Sequence, residues 1–496
     1  MKRPSLRTPL ALAITLALAA PNLSLAATRK EKELETRVAQ LEAQVKALVN
    51  AQQQQQAQLD TTRAQAADAN ARVADARTEL DKIKATQPAP LAAGKQPIQA
   101  TAINTGANPG TTFSYGGFIK LDAMATKTSD GKMDDGSAGR IFYLPSQIPV
   151  GGATANGGNA YTDISAQLSR FWLSADTVTQ RGDKLKGYVE MDFYGGGSNA
   201  LNGNETSTNT YGVTLRQAYV QWNNWLAGQT WSNFQDTAAL PDAVDFVGPT
   251  DGTIFVRQAQ IRYAKGNWSF SAENPQTTIG SVATGARLAN SGANVMPDLT
   301  ARYTTKGGWG HFSVAVLARQ FEYQNKLANG SYQSAKTATG GAVSVAGNFN
   351  IGSNDDLRYM VNAGSGIGRY LAFGLGSDTV LDADNNLHAL DGYGGFVSWR
   401  HAFSPKLRGN LMYSMAAFDN NKSLPGWGIV YDPKTNAVVS NSWTVTERTS
   451  SIHANLIYSP IPKLDLGAEI TYGKRDLEDN RSGDLKRIQA TVKYSF

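Results

Sequence analysis

The sequence predicts an all-β fold, a 16-stranded antiparallel transmembrane β-barrel, preceded by an N-terminal α-helical coiled coil. Two patterns predict it. Between residues 112 and 496, about sixteen segments alternate apolar and polar residues, which suits strands with lipid on one side and water on the other. Residues 30–84 instead repeat apolar residues every seven positions. The mean hydropathy is −0.34, and beyond the N-terminus no run approaches the roughly 20 apolar residues of a spanning helix.

Residues 1–26 are predicted to be a signal peptide. Lys2, Arg3 and Arg7 precede an apolar run from Leu10 to Ala20. Ser24-Leu25-Ala26 then supplies small residues at the two positions that a signal peptidase reads, which places cleavage after Ala26. An uncleaved anchor is the alternative, but the run is short for a span. Three of the six net positive charges belong to this segment. The remaining charge is too small to indicate nucleic-acid binding.

Residues 30–84 are predicted to form a coiled-coil stalk, because they lack Gly and Pro and keep one heptad register. The core positions are Leu34, Val38, Leu41, Val45, Leu48, Leu59, Val73, Leu80 and Ile83. The alternative is one amphipathic helix packed on a globular body, which would show a wider apolar stripe. The stalk therefore predicts an oligomer without fixing the number of chains. Residues 85–111, with several prolines and glycines, are predicted to be an extended linker.

Residues 112–496 are predicted to be the barrel domain. In the final strand Ile488, Val492 and Phe496 share one face, while Arg487 and Lys493 share the other. A soluble sandwich would show the same alternation. However, tight turns and long Gly-, Asn- and Asp-rich loops alternate between the segments, as an outer-membrane barrel requires. No blade repeat indicates a propeller.

If the apolar face meets lipid, the opposite residues line the lumen. The basic residues on that face are Lys120, Arg170, Lys186, Arg216, Arg262, Arg302, Arg319, Arg358, Arg400, Arg408, Arg487 and Lys493. The acidic residues are Asp122, Glu190, Asp192, Glu273, Asp298, Asp465 and Glu469. The basic excess predicts a modest preference for anions, unless the charges pair across the lumen and brace the barrel. At residues 170, 216 and 400 the alternation slips by one position.

Nothing in the sequence predicts catalysis, a cofactor or a metal site. The chain has no cysteine, and its four histidines are far apart. The glycine-rich segment Gly364–Gly368 has no βαβ context, so it does not indicate a nucleotide site.

Four short motifs stand out in the barrel segment: Tyr115-Gly116-Gly117-Phe118-Ile119-Lys120-Leu121-Asp122, Gly228-Gln229-Thr230-Trp231, Arg257-Gln258-Ala259-Gln260-Ile261-Arg262-Tyr263 and Gly366-Ile367-Gly368-Arg369-Tyr370. Taken with the predicted signal, stalk and linker, they resemble the DcaP-like porins of Gram-negative bacteria. The resemblance implies a homotrimer of outer-membrane barrels, a stalk in the periplasm, and passive uptake of small organic anions such as dicarboxylates.

The loop from Ser232 to about Thr253 follows the third hairpin turn, and in general porins that loop folds inward and narrows the path. Its carboxylates, Asp236, Asp242, Asp245 and Asp251, would then face basic residues on the wall. The alternative is an ordinary surface loop.

Two other functions stay open. A sugar-selective porin would need a track of lumen aromatics, and Tyr188, Tyr194 and Trp231 are few for one. A structural tether, with the stalk contacting peptidoglycan and the barrel as anchor, would show no conductance.

Overall fold

The computed structural model describes residues 111–151, 160–195, 209, 211–282, 287–288, 294–326 and 329–496, together with Val38, Val45, Lys46 and Gln56. The chain divides into two units, Met1–Ile103 and Asn104–Phe496. Within the first unit the four described residues are helical, and Val38 and Val45 are exposed. No described helix is long and apolar enough to cross a membrane.

Several predictions lie outside the described residues. They are the signal peptide 1–26, the linker up to residue 110 and the stalk positions Leu34, Leu41, Leu48, Leu59, Val73, Leu80 and Ile83.

Sixteen antiparallel strands form one closed sheet, as predicted. They are β1 (Thr111–Thr128), β2 (Tyr161–Ser165 and Arg170–Val178), β3 (Lys184–Gly195), β4 (Gly212–Trp222), β5 (Trp225–Trp231), β6 (Arg257–Lys265), β7 (Trp268–Glu273), β8 (Asp298–Gly307), β9 (Gly310–Tyr323), β10 (Lys336–Ile351), β11 (Asp355–Ser365), β12 (Asp391–Ser404), β13 (Leu407–Asp419), β14 (Thr446–Ile461), β15 (Leu464–Leu477) and β16 (Ser482–Ser495). Consecutive strands pair, and β1 closes the sheet by pairing with both β2 and β16. Closure leaves no free strand edge.

Irregular register explains the slips in the sequence pattern. Across β1, Asp122 pairs with Ser165 and Phe118 with Arg170, so β2 carries one extra residue. In β4 the bulge falls at Arg216, between the partners of two neighbouring β3 residues. An extra residue turns all following side chains to the other face. In β12 the shift comes only after Ala402, beyond Arg400.

The outer surface of the barrel is apolar, and its aromatic residues gather at the rim with the short turns. Exposed rings there are Phe113, Tyr115, Trp222, Trp225, Trp268, Trp309, Phe349, Phe403, Tyr458, Tyr494 and Phe496. Such a girdle marks the interface of a lipid bilayer. The turns at this short-turn rim have two to five residues, whereas the opposite, long-loop rim carries most of the remaining chain.

Small elements occupy the long loops. One helix spans Ala138–Ile141, and 3-10 turns span Pro145–Gln147, Thr237–Ala239 and Ser442–Thr444. Ile279–Ser281, Arg287–Leu288, Thr379–Leu381 and Leu387–Ala389 form a small sheet. Ile429–Tyr431 and Val438–Asn441 form a hairpin.

Part of the inner face is apolar, which strand alternation did not predict. On β9–β13, inward residues such as Ala315, Leu317 and Met360 are buried. They pack with Phe234 and Ile254 of one loop, and with residues of the loop after β11. This half of the barrel therefore has a core like that of a soluble protein, because two loops cover it.

Candidate functional site

The loop of residues 232–256, here called the inner loop, folds into the barrel and follows its inner wall. Near its start, the Asn233 side chain donates to the backbone oxygen of Ser269 (3.1 Å) and to Thr300 Oγ1 (2.9 Å), on β7 and β8. Further on, Val244 N donates to Glu469 Oε2 of β15 at 2.8 Å. Lys120 of β1 donates to the carbonyl of Val244 at 3.0 Å. The loop thus contacts the wall from β7 around to β1.

Two of the predicted loop aspartates meet basic or histidine side chains of the wall. Asp236 accepts from Ser313 Oγ at 2.6 Å, and its Oδ2 is 2.9 Å from His311 Nε2. Asp242 accepts from Arg408 and is 3.9 Å from Arg400. These contacts tie the loop to β9, β12 and β13.

The other two aspartates are buried against the first long loop. Asp245 accepts from the backbone N–H of Tyr143 at 2.9 Å, and Asp251 accepts from the Tyr143 hydroxyl at 3.0 Å. Burial raises the pKa of both carboxyls above their ordinary value. Asp251 also accepts from Ser451 of β14. Both residues therefore join the inner loop to the first long loop, and Asp251 also joins it to the wall; within the described residues neither forms an ion pair with Lys or Arg.

The basic residues predicted for the lumen all lie on the inner face, and most are paired with carboxylates. The ion pairs are Lys120–Asp122, Lys186–Asp176 (3.2 Å), Arg216–Glu190 (2.7 Å), Arg216–Asp192 (2.6 Å), Arg319–Asp298 (3.2 Å), Arg319–Asp378 (2.7 Å), Arg358–Asp356 (2.8 Å), Arg400–Asp356 (3.0 Å) and Arg408–Asp465 (3.4 Å). Arg170 is more loosely paired, 3.9 Å from Glu190. Pairing of this kind braces the wall and cancels much of the basic excess.

Arg262 and Arg302 are different, because within the described chain neither has a carboxylate within 4 Å. Arg262 donates to Gln260 Oε1 at 2.8 Å and to the carbonyl of Trp231. Arg302 donates to the carbonyl of Gln235 at 2.7 Å. Both side chains are half-buried on the inner face. Neutral acceptors hold both guanidinium groups in place, and the carboxylates that attract them, Glu273 for both and Asp236 for Arg302, lie beyond 4 Å.

Arg487 and Lys493, on β16, also lack a carboxylate within 4 Å among the described residues. Arg487 is 2% exposed and donates to Thr126 Oγ1 at 2.9 Å, so it serves the packing of the wall. Lys493 is half-buried and lies 4.8 Å from the ring centre of Phe118.

Guanidinium groups and aromatic rings alternate along the inner face of β2–β6. Phe246 lies between Arg170 and Arg216, whose guanidinium groups are 5.9 Å and 5.5 Å from its ring centre. Trp231 lies between Arg216 (5.8 Å) and Arg257 (4.8 Å). Such distances allow cation–π attraction. We call these five residues the basic–aromatic row.

Further rings extend the row towards the long loops. Phe255 stacks on Phe373 at 4.2 Å, and Phe142 packs against Phe246 at 5.3 Å and Tyr194 at 5.6 Å. Ala372 and Phe373 adopt φ of 52° and 58°, in the left-handed region that residues with a Cβ rarely enter. That strained backbone holds the Phe373 ring in the cluster.

Sequence reasoning missed Arg257, Phe142, Phe246, Phe255 and Phe373 as candidates. Arg257 has the strand parity of exposed Ala259 and Ile261, and the four rings come from loops, where alternation carries no information. The Arg257–Tyr263 motif drew attention to this strand, but it did not show that the Arg257 side chain points inward.

A closed 16-stranded barrel with an inner loop can be compared with known proteins. A family model described as DcaP outer membrane protein matches residues 100–496. The chain belongs to the DcaP outer membrane protein family. This confirms the family resemblance drawn from the motifs. Membership of the DcaP family and the barrel fold make the chain a porin-like protein of the outer membrane.

The likeness to one solved structure agrees with the family assignment. The outer membrane channel DcaP of Acinetobacter baumannii is 25% identical, with a TM-score of 0.59, and the match covers 79% of this chain and 99% of that chain. OmpT of Vibrio cholerae (11% identical, TM-score 0.43) matches over 78% of this chain and 98% of that one. Salmonella typhi OmpF in complex with daunomycin is 9% identical, with a TM-score of 0.42, and the match covers 78% of this chain and 98% of that chain. No curated protein matches the chain.

Proposed function

We propose that the chain is a passive diffusion channel for small hydrophilic solutes that prefers organic anions such as dicarboxylates. One observation carries the proposal: Arg257, Arg262 and Arg302 are half-buried on the inner face without a carboxylate within 4 Å among the described residues. Most other inward cations are neutralised by partners. The three guanidinium groups without a close carboxylate therefore supply the attraction for a permeating anion.

The inner loop supports a directed path. It covers the apolar half of the wall and carries Asp242 and Asp236 towards β9–β13, while the basic–aromatic row lies on β2–β6. Because Asp236 meets His311 and Asp242 meets Arg408 on that side, the field that would orient a small charged solute comes mainly from the arginines without a close carboxylate.

Charge selectivity in planar bilayers tests the proposal. Replacing Arg262 and Arg302 with Ala is expected to lower the anion-over-cation permeability ratio, because neither charge has a carboxylate within 4 Å among the described residues. The measurement is the reversal potential in a salt gradient. Lys265→Ala is the control, because Lys265 is an exposed, outward-facing cation at the short-turn rim. An unchanged reversal potential in the double variant would contradict the assignment.

The aromatic rings bear on the sugar-selective alternative. Phe142, Phe246, Phe255 and Phe373 join Tyr194 and Trp231, so the cluster is larger than the sequence indicated. The rings nearest the wall face guanidinium groups, which favours anions with an apolar body over neutral sugars. A liposome-swelling panel of dicarboxylates, aromatic acids, sugars and diamines separates these solutes.

The assembly is a further part of the proposal. Barrels would associate as a homotrimer, with the predicted coiled coil in the periplasm. The tether alternative, with the stalk on peptidoglycan, predicts a barrel without conductance, so single-channel recording separates the two functions.

A further inference from the structure

Two lysines lie directly opposite each other on the outer surface of the barrel. Lys127 of β1 and Lys486 of β16 are register partners across the seam that closes the sheet. Both are exposed, while their neighbours Thr126 and Arg487 are buried on the inner face. Both ammonium groups therefore extend outward, towards the surroundings of the barrel.

Neither lysine of this pair has an ion-pair partner among the described residues. Directly opposed residues in an antiparallel pair have Cβ atoms about 5 Å apart, and like charges there are destabilising. Within the described chain, neither lysine has a carboxylate within 4 Å. The adjacent outward cation, Lys474 of β15, is different, because Asp476 lies 2.7 Å from its Nζ. Asp484, the nearest outward acid on β16, pairs in register with Lys474.

The height of the lysine pair matches a lipid headgroup region. Phe496 belongs to the aromatic girdle at the short-turn rim, and Lys486 lies ten residues earlier. At roughly 3.3 Å per residue and a strand tilt of about 40°, this separation spans about 25 Å along the membrane normal. That is the height of the apolar band of such barrels. Tyr472 of β15, half-exposed and paired in register with Lys486, adds an aromatic residue at the same level.

We infer that Lys127 and Lys486 form a binding site for a phosphate group of an acylated lipid in the leaflet beside the long loops. In an outer membrane that leaflet consists of lipopolysaccharide, whose acylated sugar core carries phosphates. A phosphate placed between two ammonium groups removes their repulsion and gains two charge-assisted contacts. Exposed Ile488 and Ala125, directly below the pair, offer apolar surface to the acyl chains.

Lipopolysaccharide binding to the full-length protein in neutral detergent tests the site. Each of Lys127→Gln and Lys486→Gln is expected to raise the dissociation constant about fivefold, the effect of one cation beside an anionic membrane surface. The double variant is expected to lose about 25-fold on the same basis. Lys265→Gln, which removes an exposed cation at the opposite rim, is expected to leave binding unchanged.

A second measurement separates binding from folding. Without lipid, both single variants are expected to keep the heat-modifiable band of a folded barrel and to melt no lower than the native chain, because a repulsion has been removed. Unchanged lipopolysaccharide affinity in the double variant overturns the site. If the variants lose only phosphatidylglycerol binding, the site is also overturned, and the lysines are assigned to a phospholipid. If their oligomeric state changes while lipid affinity does not, the lysines are assigned to contact with a second copy of the chain.

Discussion

At the residue scale, Arg257 shows how a strand end departs from the pattern of its strand. Its neighbours Ala259 and Ile261 face outward, yet its guanidinium group lies 4.8 Å from the ring of Trp231 and near Arg216. Trp231 and Arg257 form the last pair of the β5–β6 ladder, where the inner loop leaves the wall. A residue in the last pair is held by the sheet on one side only, so the pleat dictates the direction of its side chain less strictly than within the strand.

Arg257→Gln is predicted to reduce anion selectivity. Removing one guanidinium charge near the proposed path is expected to lower the anion-over-cation permeability ratio by roughly twofold to fivefold, because a unit charge about 4 Å away contributes about 1 kcal/mol in water. Reversal potentials measure the change. Arg448→Gln, at an exposed arginine of β14, is the matched control. Equal selectivity of the two variants would contradict a role for Arg257.

At the element scale, the inner loop depends on close backbone packing against the wall. Gly252 N donates to Ser414 Oγ at 2.7 Å, and Asn362 Nδ2 donates to the carbonyl of Gly252 at 2.8 Å. A Cβ at Gly252 would lie 2.0 Å from the carbonyl oxygen of Gly395 on β12. Only a residue without a Cβ allows this approach.

Gly252→Ala is predicted to displace the returning half of the inner loop. Loss of the two hydrogen bonds is expected to cost roughly 2 kcal/mol, at about 1 kcal/mol each. The heat-modification temperature should fall, and single-channel conductance should change because the path is bounded by the loop. Gly308→Ala is the control, since a Cβ there meets open space. Identical behaviour of the two variants would show that the loop tolerates the displacement.

At the scale of the whole molecule, the barrel is closed by pairing between its own first and last strands. Phe118–Thr128 of β1 pairs with Leu485–Ser495 of β16, and Phe496 N donates to Gly117 O at 3.0 Å. Residues separated by more than 350 positions thus complete one hydrogen-bonded wall. A closed wall satisfies the backbone groups that lipid would otherwise leave unpaired.

A variant that keeps residues 1–26, the predicted signal peptide, but lacks residues 27–103 is predicted to assemble a folded barrel. Its wall ladder runs from Thr111 to Ser495, entirely within what remains. Heat-modifiable migration in gel electrophoresis is the measurement, with the full-length chain as the reference. Aggregation of the shortened chain, with normal folding of the full chain, would show that the first unit is needed for assembly.

The sequence by itself determined that the wall is an antiparallel β-barrel, how many strands it has, and the face on which most of its residues lie. Alternation is a local property of a strand, so Arg262 and Arg302 could be placed on the inner face from their neighbours alone. Even the slips at Arg170 and Arg216 were visible as broken alternation, although not as bulges.

Only the tertiary structure decided what each inward residue meets. Arg302 and Leu317 share the inward parity, yet Arg302 donates to the carbonyl of Gln235 in the inner loop while Leu317 lies in an apolar core under two loops. The basic–aromatic row likewise joins Arg170, Phe246 and Arg257, from two strands and a loop. Such contacts depend on how loops fold back over the wall. The alternation of residues along a strand shows which face a side chain lies on, but not which residues from distant parts of the chain pack against it.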